Sequence, residues 1–318
     1  MRLVRYLGGG RVAVETDDEP ALPPGGLLLR TLASGLCSGE LMDWYMDGKI
    51  PHVLGHEVCG IVRASEDPRF PVGSVVVPHH HAPCGSCEAC RSGRPVHCPT
   101  WRATRLVPGG LSETVAVPAP NLADTHRADG LRPVDAALAE PLATVAKSVA
   151  RSRWTPGENA AVVGLGSMGL LHLLVVPGAV GIERTETRRE WARSFGLRAE
   201  AEAEPACFDV VFVCPGTAEA ISAGIELAKP GGRVVLYAPM PPGSALPLDQ
   251  HRMYFREVEL IPSYSAGPSD MAKALGWLRE GRVRAEQVVS HFVRLEDLPE
   301  AYDRMKRGEW LKAMVVFE

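Results

Sequence analysis

Four cysteines lie close together in the chain: Cys84, Cys87, Cys90 and Cys98. Four thiolates on so short a loop match a closed tetrahedral zinc site, with no position left for a substrate. Disulfides are the weaker explanation, because the first 15 residues lack the apolar core of a secretory signal. The spacing therefore predicts a structural zinc lobe at about residues 79–100.

Three consecutive histidines, His79-His80-His81, come directly before the cysteine segment. Imidazole is a common metal ligand, so a further metal site is one interpretation of this run. The other is a loop that lines a cleft or covers the zinc lobe. We prefer the second interpretation.

A glycine-rich turn follows an apolar, strand-like run and opens a helix: Gly164-Leu165-Gly166-Ser167-Met168-Gly169. In this setting the glycines match a dinucleotide-binding fingerprint. Gly164 permits the tight turn, Gly166 lets a pyrophosphate approach the backbone, and Gly169 lets the helix pack on the strand. The helix start, where Ser167 and Met168 lie, offers free N–H groups to the phosphates.

An acidic residue stands where the second strand of such a unit ends. Glu183 follows Gly164 at the distance from which a carboxylate holds the adenosine ribose hydroxyls. Arg184 is the next residue and is a candidate to grip a 2′-phosphate. Because Glu183 would repel that phosphate, the sequence favours NAD over NADP.

A second set of candidate metal ligands is scattered along the chain: Cys37, His56, Glu57 and Glu140. One thiolate, one imidazole and one or two carboxylates are the mixed donors of a catalytic zinc that keeps one position open. Each residue alone has an ordinary explanation, since a single cysteine is often a small buried hydrophobe. Spacing alone leaves both interpretations open.

The elements that must position these residues fall into two groups. The first part of the chain alternates short β-type runs with Gly, Pro and Ser turns, which is typical of a small antiparallel barrel or sandwich. Its predicted strands are 3–6, 12–15, 27–32, 58–63, 72–77 and 114–117, with one short helix at 40–46.

From about residue 145, strands alternate with helices, which indicates a parallel, doubly wound α/β sheet. The predicted strands are 160–163, 179–183, 209–213 and 233–237, with helices after the glycine turn, at 187–195 and at 218–229. Helices at 269–280 and 298–307 and a strand at 313–317 complete the pattern.

Length and composition restrict the function further. The chain has 318 residues, which suggests two domains, and its net charge of −4 argues against nucleic-acid binding as the main activity. Its longest apolar stretch, 169–182, is interrupted by His172, Pro177 and Gly178 and is too short to cross a bilayer. We therefore expect a cytoplasmic protein that binds neither nucleic acid nor a membrane.

The order of these motifs resembles the zinc-containing medium-chain dehydrogenase/reductase family, in particular its sorbitol- and threonine-dehydrogenase-like branch. The resemblance covers essentially the whole chain. It implies a GroES-like β-barrel catalytic domain at 1–143 and 284–318 and a Rossmann domain at 144–283, with the active site in the cleft between them. It also implies a homo-oligomer, either a dimer or a tetramer.

The same resemblance assigns roles to individual residues. It implies two zinc ions per chain, one of them catalytic, with Cys37, His56 and Glu140 as ligands and Glu57 as an exchangeable ligand. Glu40 stands where family members carry an acid that hydrogen-bonds the zinc-binding histidine.

Two positions depart from the family pattern. Gly39 and Met42 replace the side chains that usually relay the alcohol proton. Ser38 and Glu57 remain as candidates to carry that proton.

The resulting functional hypothesis is hydride transfer between a secondary alcohol or polyol, or the matching carbonyl compound, and a nicotinamide cofactor. Zinc would act as a Lewis acid on the substrate oxygen. Two alternatives stay open at this point. One is a zinc-independent quinone or enone reductase of the same superfamily, and the other is a catalytically idle nucleotide-binding protein.

Overall fold

The computed structural model describes residues 1–318, which form two compact units. One comprises residues 1–143 and 266–318, and the other comprises residues 144–265. The first boundary falls at the predicted residue, whereas the second lies earlier than the predicted 284. The difference arises because helix 268–279 belongs to the first unit, where the Arg279 guanidinium donates to the Arg127 carbonyl.

Sixteen β-strands follow one another along the chain: β1 (Arg2–Gly8), β2 (Arg11–Thr16), β3 (Leu27–Gly35), β4 (His52–Val53), β5 (Glu57–Ser65), β6 (Val75–Pro78), β7 (Thr114–Val117), β8 (Thr125–Arg127), β9 (Ala160–Val163), β10 (Val180–Ile182), β11 (Arg198–Glu200), β12 (Phe208–Val213), β13 (Ala228–Leu236), β14 (Glu259–Pro262), β15 (His291–Val293) and β16 (Ala313–Val316).

Eleven α-helices are interspersed with them: α1 (Asp43–Met46), α2 (Glu88–Arg91), α3 (Pro99–Ala103), α4 (Pro133–Ala136), α5 (Ala139–Ser152), α6 (Ser167–Val175), α7 (Glu186–Ser194), α8 (Ala218–Leu227), α9 (Gln250–Arg256), α10 (Pro268–Arg279) and α11 (Leu298–Lys306). None of the helices is long and apolar enough to cross a membrane.

The first unit is built on two mainly antiparallel sheets. A small sheet has the order β2-β1-β4, and a seven-stranded sheet has the order β15-β16-β3-β5-β6-β8, with β7 also paired to β3. Residues at alternate positions of β3, such as Leu27 and Leu29, are buried against Val62 and Val115. This period-two burial is what sets the pairing register of a half-buried strand.

The second unit contains a six-stranded parallel sheet in the order β11-β10-β9-β12-β13-β14. The chain runs outward from β9 in one direction and then in the other, which is the doubly wound arrangement. All four residues of β9 are buried, as expected for a parallel strand covered on both faces. Its carboxyl end therefore lies at the switch point of the sheet.

Two helical segments of the structure are short: the one predicted at 40–46 and α6, which follows the glycine turn. The predicted helix at 40–46 is divided into a 3-10 turn, Ser38–Leu41, and α1, because Met42 is extended (φ −86°, ψ 100°) and Glu40 is hydrogen-bonded to its surroundings. Helix α6 has nine residues and ends at Val175, two residues before Pro177, which cannot continue a helix.

Candidate functional site

The four predicted zinc cysteines converge on one point. The sulfur atoms of Cys84, Cys87, Cys90 and Cys98 all lie within 4.8 Å of one another. The backbone N–H of Cys87 donates to the Cys84 sulfur at 3.3 Å, and hydrogen bonds led by that of Ser86 lower the pKa of Cys84 to about 5. Four thiolates at this spacing fit the closed coordination shell of a structural zinc ion.

A second donor group forms where β3 and β5 pair. The sulfur of Cys37, a ring nitrogen of His56 and a carboxylate oxygen of Glu57 lie within 4.8 Å of one another. Antiparallel pairing places Gly35, at the end of β3, opposite Glu57, at the start of β5. A Cβ on Gly35 would come within 1.9 Å of Glu57 Oε2, so a side chain there would displace the carboxylate from its position beside Lys312. This mixed donor set suits zinc and leaves a coordination position open.

Glu40 holds the His56 ring in place, in the role that the family resemblance implies. Its Oε1 atom lies 3.2 Å from His56 Nδ1 and also accepts the Gly55 N–H at 2.7 Å. Burial raises the pKa of Glu40, but His56 and the Gly55 hydrogen bond outweigh burial and lower it overall. Burial lowers the pKa of His56, yet the charges of Glu40 and Cys37 raise it well above its ordinary value. The negative charges of Glu40 and Cys37 therefore favour a cation at this position, and a bound metal ion would supply one.

Lys312 is a site residue that the sequence did not reveal. Its ammonium lies 2.5 Å from Glu57 Oε2 and donates to the Leu36 carbonyl at 3.1 Å, and the two side chains are only 2% and 1% exposed. Lysine before an apolar strand is an ordinary sequence pattern, so no local signal pointed to this role. The pair keeps the Glu57 carboxylate fixed and away from bulk water.

In the metal-free protein, Lys312→Gln is expected to destabilise the first unit by about 3–5 kcal/mol, because it leaves the Glu57 carboxylate buried without a partner. Urea unfolding of the variant measures this loss. Adding Glu57→Gln should recover much of it, since the unpaired charge is then gone. Lys306→Gln is the matched control, because the ion pair of Lys306 with Asp43 is exposed and worth less than about 1 kcal/mol. A wild-type unfolding midpoint for Lys312→Gln would contradict the assignment.

Glu140 is grouped by distance with two histidines and not with Cys37 and His56, and its role as a ligand of the catalytic metal stays a prediction. It lies in the first turn of α5 and is grouped with His79 and His80, each of which has a ring nitrogen 4.0 Å from Glu140 Oε1. Of the ligands implied by the resemblance, the structure therefore brings Cys37 and His56 together with Glu57. Ser38 is exposed beside Cys37, at the start of the 3-10 turn.

The glycine turn of the second unit has the geometry that the sequence predicts. Gly164 has a φ of +85°, and a Cβ there would lie 2.7 Å from Pro215. A Cβ on Gly169 would lie 2.0 Å from the Gly164 carbonyl oxygen, whereas nothing lies within 4 Å of a Cβ on Gly166. Gly164 and Gly169 are thus required by packing, and Gly166 leaves open space at the start of α6.

Glu183 lies directly after β10 and is connected to this turn. Its carboxylate accepts the Leu165 N–H at 2.8 Å and the Thr185 N–H at 2.9 Å. Burial raises the pKa of Glu183, but these backbone hydrogen bonds lower it overall, so the group is an anion at neutral pH. Arg188 lies 3.9 Å away, and Arg184 is exposed.

Comparison with known proteins identifies the family. Residues 23–127 match the alcohol dehydrogenase GroES-like domain, and residues 162–280 match the zinc-binding dehydrogenase domain. The chain belongs to the zinc-containing medium-chain dehydrogenase family. It is 31% identical to D-altritol 5-dehydrogenase of Agrobacterium fabrum, with 94% of each chain covered.

Solved structures agree with this assignment. Alcohol dehydrogenase from Thermus sp. ATN1 is 28% identical with a TM-score of 0.86, and both chains are fully covered. A zinc-binding dehydrogenase from Sinorhizobium meliloti, bound to NADP, is 27% identical with a TM-score of 0.87 over 99% of each chain.

These comparisons confirm the predicted fold class, a GroES-like domain with a Rossmann-type α/β domain. They also confirm that the protein is an oxidoreductase of the zinc type that acts on alcohols with a nicotinamide cofactor. A zinc-independent reductase and an idle nucleotide-binding protein are not favoured.

Proposed function

We propose that this dehydrogenase oxidises a secondary hydroxyl group of a polyol with NAD, and reduces the matching carbonyl compound in the reverse direction. The observation that carries the proposal is the donor group of Cys37, His56 and Glu57. Relatives named for polyols support the substrate class, among them D-altritol 5-dehydrogenase and the sorbitol dehydrogenase of Bacillus subtilis, which is 26% identical over 96% of this chain.

In this proposal the chain holds two zinc ions, one in the four-cysteine lobe and one at Cys37, His56 and Glu57. The second ion supplies a Lewis acid that stabilises negative charge on the substrate oxygen. Glu40 fixes the ring of His56 through Nδ1, which leaves Nε2 to face the metal. Lys312 fixes one oxygen of Glu57 and leaves Oε1, which has no hydrogen-bond partner, for the metal.

The glycine turn would bind the cofactor, whose nicotinamide ring takes the hydride. The free N–H groups at the start of α6, at Ser167 and Met168, would donate to the pyrophosphate, and the open space at Gly166 lets it approach. The Glu183 carboxylate would accept hydrogen bonds from the ribose hydroxyls.

Release of the alcohol proton needs a path, because Gly39 and Met42 carry no side chain that can relay it. Glu57 is buried and paired with Lys312, so it is better placed to hold a metal ion than to reach water. Ser38 is exposed, and its hydroxyl, with water molecules, is the candidate for this path.

Glu183→Ala is expected to lower kcat/KM for NAD about 10–100-fold, because a hydrogen bond to a charged group is worth about 1.5–3 kcal/mol. The ratio of kcat/KM with NAD to kcat/KM with NADP should also fall, because the charge that repels the 2′-phosphate is gone. Steady-state kinetics with both cofactors measures the two effects. Glu183→Gln is the control, because it removes the charge and keeps an acceptor for the turn. A higher wild-type kcat/KM with NADP would overturn the NAD assignment and make Arg184 the governing residue.

The proposed activity is tested by initial rates of NADH formation on a panel of sugar alcohols, threonine and simple secondary alcohols. We expect turnover with at least one polyol, and slower or no turnover with alcohols that lack neighbouring hydroxyl groups. Activity with simple alcohols alone would contradict the polyol assignment.

The family resemblance implies the assembly, and the cytoplasmic location is the expectation from the sequence. We infer a homodimer or homotetramer in the cytoplasm. Light scattering during size-exclusion chromatography would give two or four times the chain mass of 34.2 kDa.

A further inference from the structure

His172 is the only titratable side chain of α6, and the proposed activity does not use it. Its neighbours on the helix, Leu170, Leu171 and Leu173, are buried and apolar, and His172 itself is fully buried. An imidazole in such surroundings needs hydrogen-bond partners, because a buried polar group is costly to leave unpaired. The partners of its two ring nitrogens therefore indicate its role.

Both ring nitrogens of His172 have a partner, and the two partners lie on different helices. Nδ1 lies 2.8 Å from the Met168 carbonyl oxygen in the first turn of α6, and Nε2 lies 2.9 Å from Ser148 Oγ on α5. A carbonyl oxygen can only accept, so Nδ1 carries the proton and Nε2 accepts from the Ser148 hydroxyl. His172 thus joins the first turn of α6 to α5.

The imidazole of His172 is held in one orientation and one protonation state. Its ring packs against Phe212 at a centroid distance of 4.8 Å and edge-on against Tyr237 at 5.2 Å. Burial lowers the pKa of His172 to about 4, although the Met168 hydrogen bond opposes this effect. The ring is therefore neutral at neutral pH and keeps a donor on one side and an acceptor on the other.

The turn that His172 contacts is the one proposed to bind the cofactor pyrophosphate. The first N–H groups of α6 follow Gly166, which has no side chain to cap them. Before this point, the Leu165 N–H is fixed by the Glu183 carboxylate at 2.8 Å. His172 makes the corresponding polar contact on the helix side, at Met168. The N–H groups at the start of α6 therefore lie between two anchored points.

Helix α6 is too short to hold its first turn by its own stability. It has nine residues, whereas isolated helices shorter than about 12–15 residues are marginal in water. A first turn that frays in the free protein must be ordered when the cofactor binds, and the entropy lost in that ordering lowers the affinity. A contact that keeps the turn ordered beforehand raises the affinity for the same reason.

We propose that His172, together with Ser148, is a positioning residue for the cofactor, because it fixes the first turn of α6 with its N–H groups directed at the pyrophosphate before NAD binds. This inference rests on the proposed binding of NAD at the glycine turn. His172 acts through Met168 and not on the reacting atoms. Its loss should therefore weaken cofactor binding and leave the chemical step unchanged.

The test is the Kd for NAD, measured by isothermal titration calorimetry on the full chain without substrate. His172→Leu keeps a side chain of similar size and removes both hydrogen bonds. We expect its Kd to rise about 10-fold, which corresponds to the worth of about one hydrogen bond. Steady-state kinetics should show the same rise in KM for NAD with kcat unchanged. His172→Gln offers an amide donor and a carbonyl acceptor, so it should recover most of the affinity.

Ser148→Ala keeps the test decisive if His172→Leu fails to fold. It removes only the contact with α5, and it should raise the Kd for NAD by a smaller factor than His172→Leu. Ser152→Ala is the matched control, because Ser152 is also a buried serine of α5, but its hydroxyl donates to the Val149 carbonyl. This control should bind NAD as tightly as the wild type.

Two results would overturn the positioning role of His172. One is a lower Tm with a wild-type Kd in both His172→Leu and Ser148→Ala, which would show a purely structural role. The other is a fall in kcat with the Kd unchanged. If the wild type itself binds no NAD, the proposed function fails together with this inference, whereas tight binding by the wild type and by both variants refutes the inference alone.

Discussion

Replacing His56 with glutamine is expected to stop alcohol oxidation while the protein stays folded. The variant should lose one zinc ion per chain, because Cys37 and Glu57 alone do not complete a site. Lewis-acid stabilisation is worth several kcal/mol, so kcat/KM should fall by about 10³-fold or more. Steady-state kinetics, zinc analysis and a thermal melt on the same preparation measure the three effects.

The control for this variant is His251→Gln, which changes an exposed histidine on α9 in the other unit. It should keep wild-type zinc content and turnover. Full turnover by His56→Gln with an unchanged zinc count would show that His56 is not a ligand of the catalytic metal.

Cys90→Ser is expected to act on stability rather than on chemistry. Metal binding at a structural zinc site is also folding free energy, so losing one thiolate should cost several kcal/mol and lower the Tm by about 10 °C or more. The lobe should unfold locally and become sensitive to protease. Differential scanning calorimetry and limited proteolysis measure this change.

Cys207→Ser is the matched control, because Cys207 is exposed and lies outside every metal-type group. It should melt at the wild-type temperature. If Cys90→Ser and Cys207→Ser have the same Tm and the same zinc content, the four-cysteine lobe is not a structural zinc site.

The parts of the fold that the sequence predicted are those encoded locally. The segment 160–169 combines a fully apolar strand, a glycine turn and a helix start, and the positive φ of Gly164 and the close approach of Gly169 to the Gly164 carbonyl are local features of that turn. The four cysteines likewise lie close together in the chain, so their sulfur atoms can meet without help from distant elements. In both cases the motif lies within one short segment.

The features that the sequence did not predict depend on pairs that are far apart in the chain. Lys312 meets Glu57 only because β16 and β5 both pair with β3. Asp124 reaches His79 across the pairing of β6 and β8, beside which both residues lie. The spacing of residues along the sequence does not predict such partners, because their proximity in space is set by the order of the strands in the sheet.

The assignment of Glu140 to the Cys37 group rests on the family resemblance and stays a prediction, because no spacing in the sequence reports it. In the structure, α5 places the Glu140 carboxylate near His79 and His80. The separation of the predicted helix at 40–46 into two turns has a similar origin. Glu40 is used by Gly55 and His56, and this tertiary requirement outweighs helix propensity.

The most direct test of the central claim is the rate of NAD-dependent polyol oxidation before and after removal of labile zinc by a chelator, followed by return of zinc. We predict that activity and labile zinc disappear together, that the four-cysteine zinc resists removal, and that added zinc restores the rate in the wild type but not in His56→Gln. Undiminished turnover by protein whose Cys37 group holds no metal would contradict the account.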